Sequence, residues 1–178
     1  MLEQFLKTKK LKKYKRSILL AIFLWNLIIY SVPLFLIENK FITLPRSFIY
    51  VFSKLICFLL TPLLECTLRG NIIQVNSFAF VIDESCVGYK SFFGEFALIM
   101  AIPTKDIKKR LKYAIIFATL MFFINILRVF STIALYYFLN VNPYFLHNVL
   151  WVVLQNIVMI YLAFIFFLRH KDNLLYTF

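Results

Sequence analysis

The chain has 178 residues, 62% of them hydrophobic, with a mean hydropathy of +0.84. That composition leaves too little polar surface for a water-soluble globule and marks an integral membrane protein. A net charge of +12 could point to nucleic acid, but the basic residues cluster beside apolar runs, as in loops held on the cytoplasmic side of a membrane, so no nucleic-acid partner is expected.

At about 20 residues per span, the length accommodates one compact domain of four to six helices and no separate soluble domain. The expected fold is an all-α integral membrane protein forming a single domain over residues 1–178. It has about four transmembrane helices, a further helix in the outer leaflet and a small surface β-hairpin.

Residues 1–16 form a basic arm, with seven Lys or Arg from Lys7 to Arg16 against the single acid Glu3. An apolar run over 17–37 follows and reads as a retained signal anchor, because Val32-Pro33-Leu34-Phe35-Leu36 offers no small-residue cleavage site. A second apolar run, 47–64, is interrupted by Lys54 and Pro62. Residues 70–83 place β-branched and aromatic residues on either side of Asn76-Ser77, the pattern of two short strands and a turn. Such a hairpin belongs at the membrane surface, since open strand edges cannot be left unpaired in lipid.

A short span over 89–103 precedes the basic loop Lys105, Lys108, Lys109, Arg110 and Lys112, which belongs in the cytoplasm. The next helix, 111–139, is longer than a bilayer requires. Asn140-Val141-Asn142-Pro143 ends it, and His147 opens a last span that reaches Leu168 and closes on Arg169-His170-Lys171. With the N-terminus and the basic loop inside, an odd number of crossings must precede Cys86. The interrupted run 47–64 is therefore the one expected to lie in the outer leaflet, which puts Cys86 and His147 on the outer face of a multi-pass plasma-membrane protein.

Polar residues at that level are the candidates for chemistry. Cys86 stands in Asp83-Glu84-Ser85-Cys86-Val87-Gly88, where acidic neighbours surround a thiol and glycine permits close approach. Arg128 interrupts an apolar helix sixteen residues after Lys112, roughly 24 Å along it at about 1.5 Å per residue. Asn125 lies one turn away on the same face. An arginine there faces the bundle interior to hold a charge, and since it does not give up its proton it stabilises negative charge and does not act as a base. A neutral His147 at the level of a thiol can take its proton and later protonate a leaving amine. Cys57, Cys66 and Cys86 form no C-x-x-C pair and are an odd number, which argues against a disulfide scaffold; Cys57 and Cys66 are read as structural, unpaired thiols. Glu95 is assigned no role. His147 and His170 fall on opposite faces, so no metal site and no cofactor are expected. A non-catalytic scaffold and a transporter component are the alternatives, the latter lacking the internal repeat it would usually show.

Taken together, Cys86-x-Gly88, the basic loop, Asn125-Ile126-Leu127-Arg128, and Pro143 with His147 opening the last span resemble the exosortase/archaeosortase family of membrane transpeptidases. The resemblance covers residues 70–161. It implies Cys86 as nucleophile, Arg128 as oxyanion stabiliser and His147 as general base and acid, with Asn125, Glu84 and Gly88 in support. It also implies secreted substrates carrying a C-terminal motif, a transmembrane helix and a basic tail, with a lipid or glycan amine as acceptor. One departure is Val87, where the family usually carries Ser or Thr.

Overall fold

In a computed structural model of the protein, residues 2–171 and 174 are described. The first apolar run is not one straight helix. It divides into α1 (Leu2–Tyr30) and α2 (Val32–Glu38), bent by 41°. Pro33 accounts for the break, because its ring lacks an N–H and clashes with the carbonyl four residues back.

Among the described residues, two helices are long and apolar enough to cross a membrane, α5 (Ile107–Leu139) and the continuous segment Pro143–His170; counting the bent α1–α2 pair as one span makes three. The 33 residues of α5 extend about 50 Å, well beyond a hydrocarbon core of about 30 Å. Asp106 caps its start by accepting from the Lys109 N–H at 3.0 Å, and Asn140 ends it in the left-handed conformation at φ 51°. The last segment consists of α6 (Pro143–Phe145), a π-helical turn over Leu146–Leu150, and α7 (Trp151–His170). Asn142 caps it by accepting from the Tyr144 and Phe145 N–H groups, and Pro143 fits the first turn, where its missing donor costs nothing.

The remaining candidate span, α4 (Tyr89–Ala101), has 13 residues, about 20 Å. It packs against α1, α2, α5 and α7, and its deeper half buries Glu95, Ala97, Ile99, Met100 and Ala101. This short helix is thus surrounded by protein. The run expected in the outer leaflet forms α3 (Arg46–Leu60), 15 residues with one buried face made of Phe52, Ser53, Ile56, Cys57 and Leu60, while Lys54 stays exposed.

Three strands, not two, follow α3. β1 (Cys66–Arg69), β2 (Ile72–Val75) and β3 (Phe78–Val81) form an antiparallel meander, with Cys66 opposite Val75 and Val75 opposite Phe78. The expected hairpin is β2–β3, and residues between the second apolar run and that hairpin supply the extra strand. The cause is covalent: Cys57 at the end of α3 is disulfide-bonded to Cys66 at the start of β1, with Cα atoms 5.7 Å apart. The expectation of unpaired thiols is therefore corrected. Pro62 lies in the turn that reverses the chain between them, a proximity that cysteine spacing alone did not reveal.

The central strand buries Ile73 and Val75 completely on one face. With Phe52, Ile56 and Leu60 of α3 and Ile126, Val129 and Ile133 of α5 they form one core, against which Cys86 packs. The sheet is tied to the end of α5 by Asn76 donating to the Tyr137 hydroxyl at 2.7 Å, and by Phe78 and Phe80 packing edge-on to Tyr136. A second core of Ile99, Met100, Ile102, Ala114, Ala163 and Phe166 fills the opposite end of the bundle. The fold therefore has a roofed end, carrying the sheet, and a basic-loop end.

Candidate active site

Asp83 organises the turn that presents the thiol. It caps a single 3-10 turn, Glu84–Val87, its Oδ1 accepting from the backbone N–H groups of Ser85 at 2.8 Å and Cys86 at 3.1 Å. Burial alone would raise the Asp83 pKa, but the hydrogen bonds from Ser85 and Cys86 outweigh it and hold the carboxyl below its usual value. Val87 is fully buried in the core and anchors the far end of the turn. Gly88 then takes φ +83°, and a Cβ built on it would lie 2.5 Å from the Asn125 side chain. The glycine therefore allows close contact with Asn125. Asn125, fully buried, donates from Nδ2 to the Cys86 carbonyl at 2.8 Å.

Arg128 lies one turn further along α5 and is 8% exposed. Its Nη2 is 2.9 Å from His147 Nε2 and 3.4 Å from the Ser85 carbonyl oxygen, while Nη1 donates to Gln155 Oε1 at 2.9 Å. A guanidinium only donates, so Nε2 of His147 is the acceptor, and the imidazole is neutral with its proton on Nδ1. Arg128 is also close enough to Cys86 and Asp83 to interact electrostatically with both. The Cys86 thiol is half-buried, and burial pushes its pKa above the usual value, so at neutral pH the resting sulfur is protonated.

Of the residues expected at the site, Cys86, Asn125, Arg128, His147 and Gly88 come together at the roofed end. Glu84 follows the capping Asp83 and lines a surface pocket with Ile37, Glu38, Lys40 and Tyr89, which Asp83 and Ser85 of the thiol-bearing turn also line. In that region Glu38 pairs with Lys90 at 2.9 Å and accepts from the Tyr89 hydroxyl, which fastens α2 to α4. Two participants were not singled out from the sequence: Asp83 as the cap, and Gln155 as the partner of Arg128. An acidic residue immediately before a tight turn is a capping signal that could have been recognised. Gln155 gave only the signal of a lone amide in an apolar helix. Among the described residues, no three His, Cys, Asp or Glu are grouped to hold a metal.

Fold and site together define an α-helical membrane protein in which a thiol, an arginine and an imidazole share one end of the bundle beneath a small disulfide-tethered sheet. The chain belongs to the transmembrane exosortase family: the family model described as transmembrane exosortase (Exosortase_EpsH) matches residues 10–168. No curated protein and no solved structure matches the chain significantly. Family membership supports a membrane transpeptidase-type function.

Proposed function

We propose that the protein is a cysteine transpeptidase that cleaves the C-terminal sorting signal of secreted proteins at the outer face of the cell membrane and transfers them to a lipid or glycan amine. The observation that carries this reading is the position of Arg128 Nη2, shared between His147 Nε2 and the carbonyl of Ser85, the residue before Cys86. The base and the stabilising cation are thus joined beside the nucleophile. A substrate carbonyl entering here competes for Nη2, and as it takes that hydrogen bond the Nε2 lone pair is released to receive the Cys86 proton.

Attack by the thiolate forms the sulfur–carbon bond and places negative charge on the carbonyl oxygen, next to a cation that cannot be neutralised. Collapse breaks the carbon–nitrogen bond, and His147 returns its proton to the departing amine, leaving a thioester on Cys86. An incoming amine then gives its proton to His147 as it displaces the sulfur. Water attacking the thioester would produce hydrolysis instead.

The outer orientation is supported by the Cys57–Cys66 disulfide at the same end, since such bonds persist on the oxidising side of a membrane, and by the basic loop at the other end. With α3 beside the sheet and too short to span, its placement in the outer leaflet fits the same orientation. The test is processing of a secreted protein bearing a C-terminal motif, helix and basic tail, supplied with the parent chain or with Cys86→Ala. The alanine variant should accumulate uncleaved substrate at normal membrane abundance. Undiminished processing by that variant would leave a non-catalytic scaffold as the better reading.

A further inference from the structure

Gln155 is 4% exposed in a helix whose other buried residues are Leu162, Ala163, Phe166 and His170. An amide here must be matched by a partner, because desolvating it without one costs more than an apolar residue of the same size. Its Oε1 has that partner in Arg128 Nη1 at 2.9 Å, across 27 residues of sequence. Its Nε2 and the Nε of Arg128 are buried without a hydrogen-bond partner among the described residues. The amide is oriented by the arginine, since the flipped form would set donor against donor.

We infer that Gln155 is a positioning residue for the proposed reaction: by accepting from Nη1 it fixes the plane of the Arg128 guanidinium and so directs Nη2 towards His147 and the Cys86 turn. A guanidinium has two terminal nitrogens in one rigid plane, so holding one aims the other. Thr132 donates to the Arg128 backbone carbonyl at 2.7 Å, but that contact does not restrain the side chain. Among the described residues, the side-chain contacts of the guanidinium are Gln155 on one nitrogen and His147 on the other. The inference rests on the transpeptidase reading only in taking Arg128 as the cation that serves Cys86.

The test does not require the substrate. Cys86 is the free cysteine once Cys57 and Cys66 are paired, so alkylation of the full-length protein by iodoacetamide reports on this thiol alone. Arg128 interacts electrostatically with Cys86, so on this inference an aimed guanidinium stabilises the thiolate. Gln155→Met, similar in size but without the acceptor, should move the pH midpoint of alkylation upward by about one unit, a roughly tenfold slower reaction near neutral pH. Gln155→Asn, whose oxygen is drawn back by one methylene, should do the same, and it provides the test if the methionine variant does not fold. In an Arg128→Lys background neither substitution should add to the loss, because there is no longer a plane to hold. An unchanged midpoint in both single variants, or a full additional loss in the lysine background, would overturn the role of Gln155. Neither outcome bears on the transpeptidase reading, which depends on processing by Cys86→Ala.

Discussion

The two ends of the bundle use the same residue types for different purposes. At the basic-loop end, Arg110 is as buried as Arg128, 7% against 8% exposed, yet its Nη1 donates to the carbonyl of Ile102, which closes α4. His170 at that end donates from Nδ1 to the Phe166 carbonyl at 3.0 Å and stacks on the Phe166 ring. At the roofed end, Arg128 reaches both His147 and the Ser85 carbonyl of the thiol-bearing turn. A buried arginine bound to a main-chain carbonyl completes a helix end. One bound to an imidazole and an amide holds groups that can exchange partners. Buried charge alone therefore does not distinguish a structural arginine from one proposed to act in the chemistry; the proposed role of Arg128 rests on its partners.

The sharpest way to break this comparison is to make the same substitution at both ends. Arg128→Lys should lower processing by about 100-fold or more, the range seen when a positioned oxyanion donor is lost, because lysine keeps the charge but not the planar fork. Arg110→Lys should lose some stability and leave processing within a few-fold of the parent. Equal losses in a processing assay normalised to membrane abundance would mean that both arginines are structural.

The glycines of the two regions sharpen it further. Gly88→Ala combines φ +83° with a Cβ 2.5 Å from Asn125 and should destabilise the turn by about 1–3 kcal/mol, freeing the Cys86 carbonyl from Asn125. At Gly94, on α4, the nearest atom to a new Cβ is Met159 Sδ at 3.6 Å, ordinary contact, and alanine is the better helix former by about 1 kcal/mol. Gly94→Ala should therefore be neutral or slightly stabilising. Thermal unfolding in detergent measures both; similar melting temperatures for the two variants would remove the close-contact explanation of Gly88.

The smallest expected effect concerns the cap. Asp83 has its pKa lowered by the hydrogen bonds of Ser85 and Cys86, so its contribution is present above the unfolded carboxyl value and is lost as pH falls through the folded one. Asp83→Ala should cost about 1 kcal/mol at neutral pH, as caps of this kind do, and the difference from the parent should shrink below about pH 4. Asp83→Asn, which keeps an acceptor, should lose less. A constant difference between parent and alanine variant down to pH 3 would show that the carboxylate charge plays no part.

Much of this protein was legible from local sequence, because the signals involved act over a few residues. Hydropathy marked the apolar helices, and Asn140 and Pro143 marked the break between the last two. An arginine within an apolar run and a thiol among acidic residues drew attention to Arg128 and Cys86 without any knowledge of their neighbours. The elements misread were those whose conformation is imposed from a distance. Cys66–Arg69 becomes a strand because a disulfide to α3 and pairing with β2 hold it there. Glu84 and Asp83 are equivalent acidic residues in sequence, and only the direction of the 3-10 turn makes Asp83 its cap and sets Glu84 in the pocket lined by Glu38, Lys40 and Tyr89. Gln155 acquires a role solely because α7 returns beside α5 and sets its amide against Arg128. Composition and periodicity determine which segments must leave water; which polar side chains meet afterwards depends on helix rotation and crossing, and those are decided by packing between residues far apart in the chain.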